Sequence, residues 1–253
     1  MNSIHRSPDH EAYIIESFSK HVKTYDKHAQ LQKNMAERLA SFLPDTPPER
    51  VLELGCGTGV FTRHILARPV KTLILNDIAP AMINHLKTQN VLPRNTQVII
   101  GNAEHLRFPA VDMIVSNAVF QWFQNHKQTI RRLASTLTPG GRLIFSTFGP
   151  QTLKEFRETG GIESPIIMPS FYQWKKLLAG LQVHECCSET RKVFFPDALT
   201  LIKNLQQVGA TPLRMATTGE LRKLIRNYDM AFSTSQGVYS TWELYYFSAI
   251  RAR

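Results

Sequence analysis

Apolar positions along this 253-residue chain alternate between two spacings, and the alternation outlines a fold. Short apolar runs bounded by turn residues predict strands at 50–54, 72–76, 97–100, 113–117 and 142–147. Between them, apolar residues three and four apart predict helices, for example at 58–66, 80–89 and 127–137. Upstream, a short helix is expected at 9–20. A longer one is expected at 26–42, where Leu31, Met35, Leu39 and Phe42 fall on one face. Pro44-Asp45-Thr46-Pro47-Pro48 breaks the chain before the first strand, and Thr138-Pro139-Gly140-Gly141 reads as a tight turn into the fifth.

A strand–helix–strand rhythm of this kind predicts an α/β protein with a Rossmann-like, mostly parallel seven-stranded sheet covered by helices on both faces. After Pro150 the rhythm changes. Helices are expected near 151–158, 170–178, 197–207 and 218–232, and strands at 183–195 and 241–250 that close the sheet as an antiparallel pair. The expected organisation is one domain over 1–253. N-terminal helices occupy 1–43, a ligand-binding core 50–148, substrate and lid elements 150–240, and the last strand 241–251. The residues between the last two strands, with the N-terminal helices, are expected to form a helical lid.

Composition narrows the class. The apolar fraction is 43% and the charged fraction 20%, enough for a core without a metal or disulfide. Cys56, Cys186 and Cys187 make an odd count with no Cys-x-x-Cys spacing, which suits a reducing compartment and argues against a zinc site. The first residues, Met1 to Arg6, carry no leader-like apolar region, and no run approaches the roughly 18 apolar residues of a membrane span. A cytoplasmic setting is expected, with neither membrane nor metal. The net charge of +10 is concentrated in residues 50–150, where 11 basic residues face 4 acidic ones. Such a surface attracts acidic partners. Without a basic tail or aromatics interleaved among the cations, nucleic acid is not the expected one.

The chemistry starts at Val51-Leu52-Glu53-Leu54-Gly55-Cys56-Gly57-Thr58-Gly59, a buried strand entering a Gly-x-Gly-x-Gly turn and then a helix. Gly55, Gly57 and Gly59 permit a sharp turn and close approach of a ligand to the backbone. Asp77, 18 residues after Gly59 at the end of the second strand, is placed to accept both ribose hydroxyls of a nucleoside, or else to cap the helix beginning at Pro80. Asn102-Ala103 follows the third strand, where an amide reads an adenine edge or simply shapes a turn, and Asn117 ends the fourth, facing the reacting end. A dinucleotide enzyme would carry Gly-x-Gly-x-x-Gly with its diphosphate on the helix N-terminus. Here the third glycine comes one residue early, and Glu53 suits the ammonium of S-adenosyl-L-methionine rather than a diphosphate.

With these motifs, and Leu137-Thr138-Pro139-Gly140-Gly141, the chain resembles the class I S-adenosylmethionine-dependent methyltransferases over roughly residues 50–148. More narrowly it resembles the malonyl-acyl-carrier protein O-methyltransferases of biotin synthesis. That likeness rests on Tyr25-Asp26-Lys27-His28-Ala29 with Leu31-Gln32, on Ser116 to Trp122, and on the C-terminal stretches Asp197-Ala198-Leu199, Gly209-Ala210-Thr211 and Gly237-Val238-Tyr239 with Thr241. The Asn117-Ala118-Val119-Phe120-Gln121-Trp122 stretch is equally similar to methyltransferases of small aconitate-type acids, so the terminal regions carry the choice. The resemblance implies S-adenosyl-L-methionine as cofactor, S-adenosyl-L-homocysteine as product, and malonyl-carrying acyl-carrier protein as partner. The cofactor would be bound by Glu53, Gly55, Cys56, Gly57, Gly59, Asp77, Ile78, Met82, Asn102, Ala103 and Asn117.

The implied reaction esterifies the free carboxylate of a malonyl thioester. A carboxyl with a pKa near ~4 is already ionised at neutral pH and needs no general base, and no Ser/His/Asp or Cys/His constellation is evident. A tight cationic clamp would favour the ground state, so donors and one looser cation suit the site better. Tyr25, His28, Gln121 and Trp122 are the candidate donors and Lys203 the candidate cation. Bland readings compete for each: core aromatics for Tyr25 and Trp122, a surface His28, a helix-capping Gln121, a solvated Lys203. Arg222, Lys223 and Arg226 with Lys203, and separately Lys127, Arg131 and Arg132, are candidate docking patches for an acidic carrier. A small-molecule carboxyl methyltransferase and a non-catalytic cofactor-binding assembly factor are the alternatives.

Overall fold

The computed structural model describes residues 8–46, 48–89, 91–160, 168–209 and 217–253. Pro47, the Met1–Arg6 stretch and Ala210-Thr211 of the C-terminal signature lie outside them. Five parallel strands form the expected half of the sheet: β1 (Arg50–Leu54), β2 (Thr72–Asp77), β3 (Gln97–Ile100), β4 (Val111–Asn117) and β5 (Leu137–Phe148). Then β6 (Gln182–Phe195) and β8 (Gly237–Ile250) pair antiparallel, with β8 inserted between β5 and β6. The strand path is β3-β2-β1-β4-β5-β8-β6, and a two-residue β7 (Ser233–Thr234), not foreseen, pairs with β8 to make eight strands.

Strand side chains alternate between two apolar layers, as a doubly covered sheet requires. Val51, Leu73, Leu75, Met113, Val115 and Ile144 pack with α3 (Gln30–Ala40), α4 (Thr62–Leu66), α5 (Pro80–Thr88), α7 (Lys154–Gly160), α9 (Ala198–Gln207) and α10 (Thr218–Phe232). Leu52, Leu54, Ile114, Leu143, Phe145 and Phe247 face α6 (His126–Thr136) and α8 (Phe171–Leu177) on the other side. At that second layer's centre Trp174 is fully buried, with its ring 5.3 Å from Phe145 and 5.9 Å from Phe120. The edge strand β6 carries Glu185, Glu189, Arg191 and Lys192, charges that discourage further strand pairing. None of the described helices is long and apolar enough to cross a membrane.

Three expectations are corrected. The long helix at 26–42 is broken at Ala29 (φ −87°, ψ 36°) into α2 (Tyr25–His28) and α3. The expected turn at Thr138–Gly141 is a bulge inside β5, because Val111 pairs with Leu137 while Met113 pairs with Arg142. There Thr138 Oγ1 donates to Asp112 Oδ1 at 2.9 Å, and a Cβ on Gly141 would meet the Thr138 and Asp112 carbonyl oxygens at 2.8 and 3.0 Å. The helix after the glycine turn starts at Thr62 rather than Thr58, since Gly57 and Gly59 hold positive φ values (54° and 88°) that no helix accommodates.

Candidate active site

In open α/β sheets, ligands sit in the crevice outside the carboxyl ends of the strands. A cavity of about 790 Å³, counting the space at its mouth, lies there. Its floor comes from strand ends and the loops after them: Gly55 and Gly57, Asn76 to Ile78, Gly101 to Glu104, and Asn117 to Val119. The roof comes from α1 (Pro8–His21) and α2, through Glu11, Ile14, Phe18 and Tyr25, and Trp122 closes one side. Phe18 joins the aromatic elements, edge-on to Trp122 at 5.7 Å and to Tyr25 at 6.2 Å. Among the described residues of 150–240 none lines the cavity, and the roof described here comes from the N-terminal helices.

The glycine turn shapes the floor. Gly55 has φ +62°, and a Cβ there would stand 2.3 Å from Val119 Cγ2. Gly57 has φ +54°, and its Cβ would project into space with no protein atom within 4 Å, which leaves room for a ligand against the backbone. Asp77 closes the turn: Oδ2 accepts the Gly57 N–H and Oδ1 the Ala79 N–H, both at 2.8 Å. It thus caps the turn before α5 while lining the cavity. Burial raises its pKa to about 6. Ile78 and Met82 continue the wall.

Asn102 is a turn residue that also reaches the roof. Its Oδ1 accepts the Glu104 N–H at 2.9 Å and its Nδ2 donates to Glu11 Oε2 on α1 at 3.1 Å; Ala103 beside it is buried against the cavity. Asn117 bonds Gln32 O through Nδ2 and accepts from Ser146 Oγ at 2.7 Å. The next residue, Ala118, takes φ 56°, unusual for a non-glycine, and turns Val119 back over Gly55. Nothing in an alanine announces that conformation.

The other expected residues lie elsewhere. Glu53, Cys56 and Gly59 do not line the cavity. Strand alternation sends Glu53 to the α4 side, where its Oε2 accepts from Thr62 Oγ1 at 2.7 Å, and burial raises its pKa to about 8. Cys56 is buried in the core, its N–H on Asn76 O, and its thiol pKa is pushed up by burial. Gly59 makes room for Leu86, 2.6 Å from where its Cβ would be. Gln121 is buried behind the wall, between Ala118 O and Thr147 Oγ1. His28 meets Asn204 of α9 through Nδ1 at 3.3 Å, and Lys203 sits on the exposed face of that helix. Of the five expected substrate-side residues, Tyr25 and Trp122 alone line the cavity.

Sequence reasoning missed the α1 contributors, Glu11, Ile14 and Phe18, and also Asp26. Asp26 ties the roof to the floor: Thr58 Oγ1 donates to its Oδ1 at 2.5 Å, and Arg63 Nη2 lies 3.4 Å from its Oδ2. An acid beside the aromatic of a short helix was the available signal. Asp26→Ala is expected to lower the thermal midpoint by about 2–5 °C, since one partly exposed charged hydrogen bond contributes roughly 1–1.5 kcal/mol, and to weaken cofactor binding several-fold as the roof loosens; a melting curve checks the first and calorimetry the second.

Glu53 gives a separate expected outcome. Its pKa is above the unfolded value of 4.5, so the stability it contributes is full below pH 4.5 and lost as pH rises through about 8. Glu53→Gln should match the wild type near pH 4.5 and exceed it above pH 8, read as the urea midpoint across that range.

Residues 25–214 match a family described as a methyltransferase domain. A malonyl-acyl-carrier protein O-methyltransferase of Haemophilus ducreyi is 31% identical over 243 residues, covering 90% of this chain and 92% of that protein. The enzyme of the same name from Anoxybacillus flavithermus is 31% identical over 244 residues, covering 89% and 92%. Among solved structures, the YcgJ protein of Bacillus subtilis superposes with a TM-score of 0.68 at 15% identity, covering 87% of this chain and 99% of that one. The N-methyltransferase NodS of Bradyrhizobium japonicum, in complex with S-adenosyl-L-homocysteine, gives 0.59 at 13% identity, covering 95% and 99%. The structural likeness establishes the fold; with the sequence relationship over nine-tenths of its length, the chain belongs to the malonyl-acyl-carrier protein O-methyltransferase family.

Proposed function

We propose that the protein methylates the free carboxylate of a malonyl thioester carried by acyl-carrier protein, using S-adenosyl-L-methionine, as an early step of biotin synthesis. The observation that carries this reading is the cavity at the strand ends, floored by the Gly55–Gly57 turn with Asp77 and roofed by Tyr25, in a chain related over nine-tenths of its length to an enzyme of that name. The open space over Gly57 and the buried carboxylate of Asp77 fit the amino-acid tail and ribose of that cofactor. When bound, the cofactor supplies an electrophilic methyl on its sulfonium.

The residues then have distinct work. Asp77 accepts from the ribose hydroxyls, Gly55 and Gly57 let the tail lie against the backbone, and Asn102 with Ala103 borders the base. Tyr25 and Trp122, both in ring contact with Phe18, present a hydroxyl and an indole N–H to an incoming carboxylate. Burial and the nearby Asp77 and Asp26 carboxylates hold the Tyr25 phenol well above its ordinary range, so it stays a hydrogen-bond donor and not a base. An already ionised nucleophile asks only for alignment and dryness, and the aromatic roof supplies both.

The test is incubation with labelled S-adenosylmethionine and malonyl-acyl-carrier protein. A base-labile methyl ester on the carrier is expected; faster methylation of free dicarboxylates would favour the small-acid reading, and binding without turnover on any acid the assembly-factor reading.

A further inference from the structure

We infer that the carrier docks on the surface formed by α6, α8 and the loop after β3, and not on α10. This rests on the carrier-bound substrate proposed above. The cavity wall runs through Trp122, Phe123 and Gln124 directly into α6, which begins at His126. The His126 ring meets Trp174 of α8 edge-on at 4.9 Å, which joins the start of α6, beside the cavity wall, to the middle of α8. From that joint, Lys127 and Arg131 on α6 and Lys175 and Lys176 on α8 are exposed, and neither helix contains an acidic residue. Arg107 is exposed on the loop whose Leu106 carbonyl accepts from Arg132 of α6, which brings a fifth cation beside that helix. The neighbouring carboxylate, Glu104, is taken up by the Gln124 and Asn125 N–H groups and by Thr129 Oγ1.

Arg132, expected among the docking residues, is corrected to a structural role. Its guanidinium donates to the Leu106 and Ala103 carbonyls and stacks over Phe108, so it fixes the loop and does not face outward. Tyr172, 65% exposed with Lys176 Nζ 4.5 Å above its ring, supplies the aromatic anchor that a charged surface alone lacks. The competing patch on α10 carries Arg222, Lys223 and Arg226 but also Glu220 and Asp229, and no described residue of α9 or α10 lines the cavity. A small acidic protein delivering an acyl thioester on a flexible arm matches the α6–α8 face in charge and in its continuity with the cavity wall.

The experiment compares the full chain with K127E/R131E/K175E and, as a control, R222E/K223E/R226E. Two substrates are used, malonyl-acyl-carrier protein and malonyl-pantetheine, which lacks the carrier. The α6–α8 variant is expected to raise KM for the carrier substrate at least 10-fold at low salt, with kcat at saturation, S-adenosylmethionine affinity and malonyl-pantetheine kinetics within twofold of wild type. Its KM should also lose most of the salt dependence. An unchanged carrier KM, or a rise confined to the α10 variant, overturns the assignment. If the wild type methylates malonyl-pantetheine but never the carrier form, the docking surface falls while methyl transfer stands; if it methylates neither, the proposed reaction falls and this surface with it.

Discussion

Asp77→Ala is expected to weaken S-adenosylmethionine binding about 100-fold, the equivalent of roughly 2.7 kcal/mol, without unfolding the protein. Two hydrogen bonds from ribose hydroxyls to a buried carboxylate are each of the charged class, worth about 1.5–3 kcal/mol before reorganisation. The same substitution leaves the Gly57 and Ala79 N–H groups without their acceptor, so the turn loosens as the ligand contact is lost. Titration calorimetry reads the affinity. Its pH dependence supplies a second signature. Burial sets the Asp77 pKa at about 6 against an ordinary 3.8, so affinity should fall as pH drops below about 6 and the carboxyl takes up a proton. Stability of the free protein runs the other way: the part due to Asp77 is full below pH 3.8 and lost as pH rises through about 6. Asp77→Ala should remove both trends. An affinity flat from pH 5 to pH 8 in the wild type would be incompatible with this carboxylate holding the ribose.

Gly55→Ala is expected to lower stability by about 3 kcal/mol and the melting temperature by on the order of 10 °C, and to abolish measurable cofactor binding. Two costs combine. A φ of +62° charges any L-residue roughly 1–2 kcal/mol, and the new methyl would overlap Val119 Cγ2, 2.3 Å away. The two are separable. Val119→Ala in the Gly55→Ala background should recover the steric part, leave the backbone part, and show a coupling between the sites that independent positions lack. Additive effects in the double-mutant cycle would mean that the turn relaxes away from Val119 and that the packing described is not what holds it.

The fold was legible wherever local pattern and tertiary demand coincide. β1, β3 and α10 begin and end where apolar periodicity and turn residues place them. The break at Ala29 was not legible, because Leu31, Met35, Leu39 and Phe42 keep helical spacing without a Gly or Pro nearby. What stops the helix is distant in sequence: Asp26 is drawn to Thr58 and Arg63, and His28 to Asn204. The Thr138–Gly141 stretch misled for the opposite reason, since turn chemistry also serves a bulge.

Of the residues lining the cavity, Gly55, Gly57, Asp77, Asn102, Ala103 and Asn117 were legible because a strand end followed by a special backbone residue leaves a local mark, while Ile78 and Met82 came with the family resemblance alone. The α1 roof leaves none, as Glu11, Ile14 and Phe18 are ordinary residues of an amphipathic helix. Glu53 shows how far a motif can be trusted: its spacing from the glycines was right, yet strand alternation turns its side chain into the core beside Thr62.

The position of β8 bears on how the chain is made. Because β8 pairs with β5 on one side and β6 on the other, both partners exist before the strand that joins them. During vectorial synthesis the parallel half can collapse early around β1 and β4. The β5 edge and all of β6 must wait, with ladder groups unsatisfied, until β8 has left the ribosome. Chains arrested inside β8 should therefore carry a formed strand-end crevice next to an adhesive open edge, and be more prone to aggregate than chains arrested before β6.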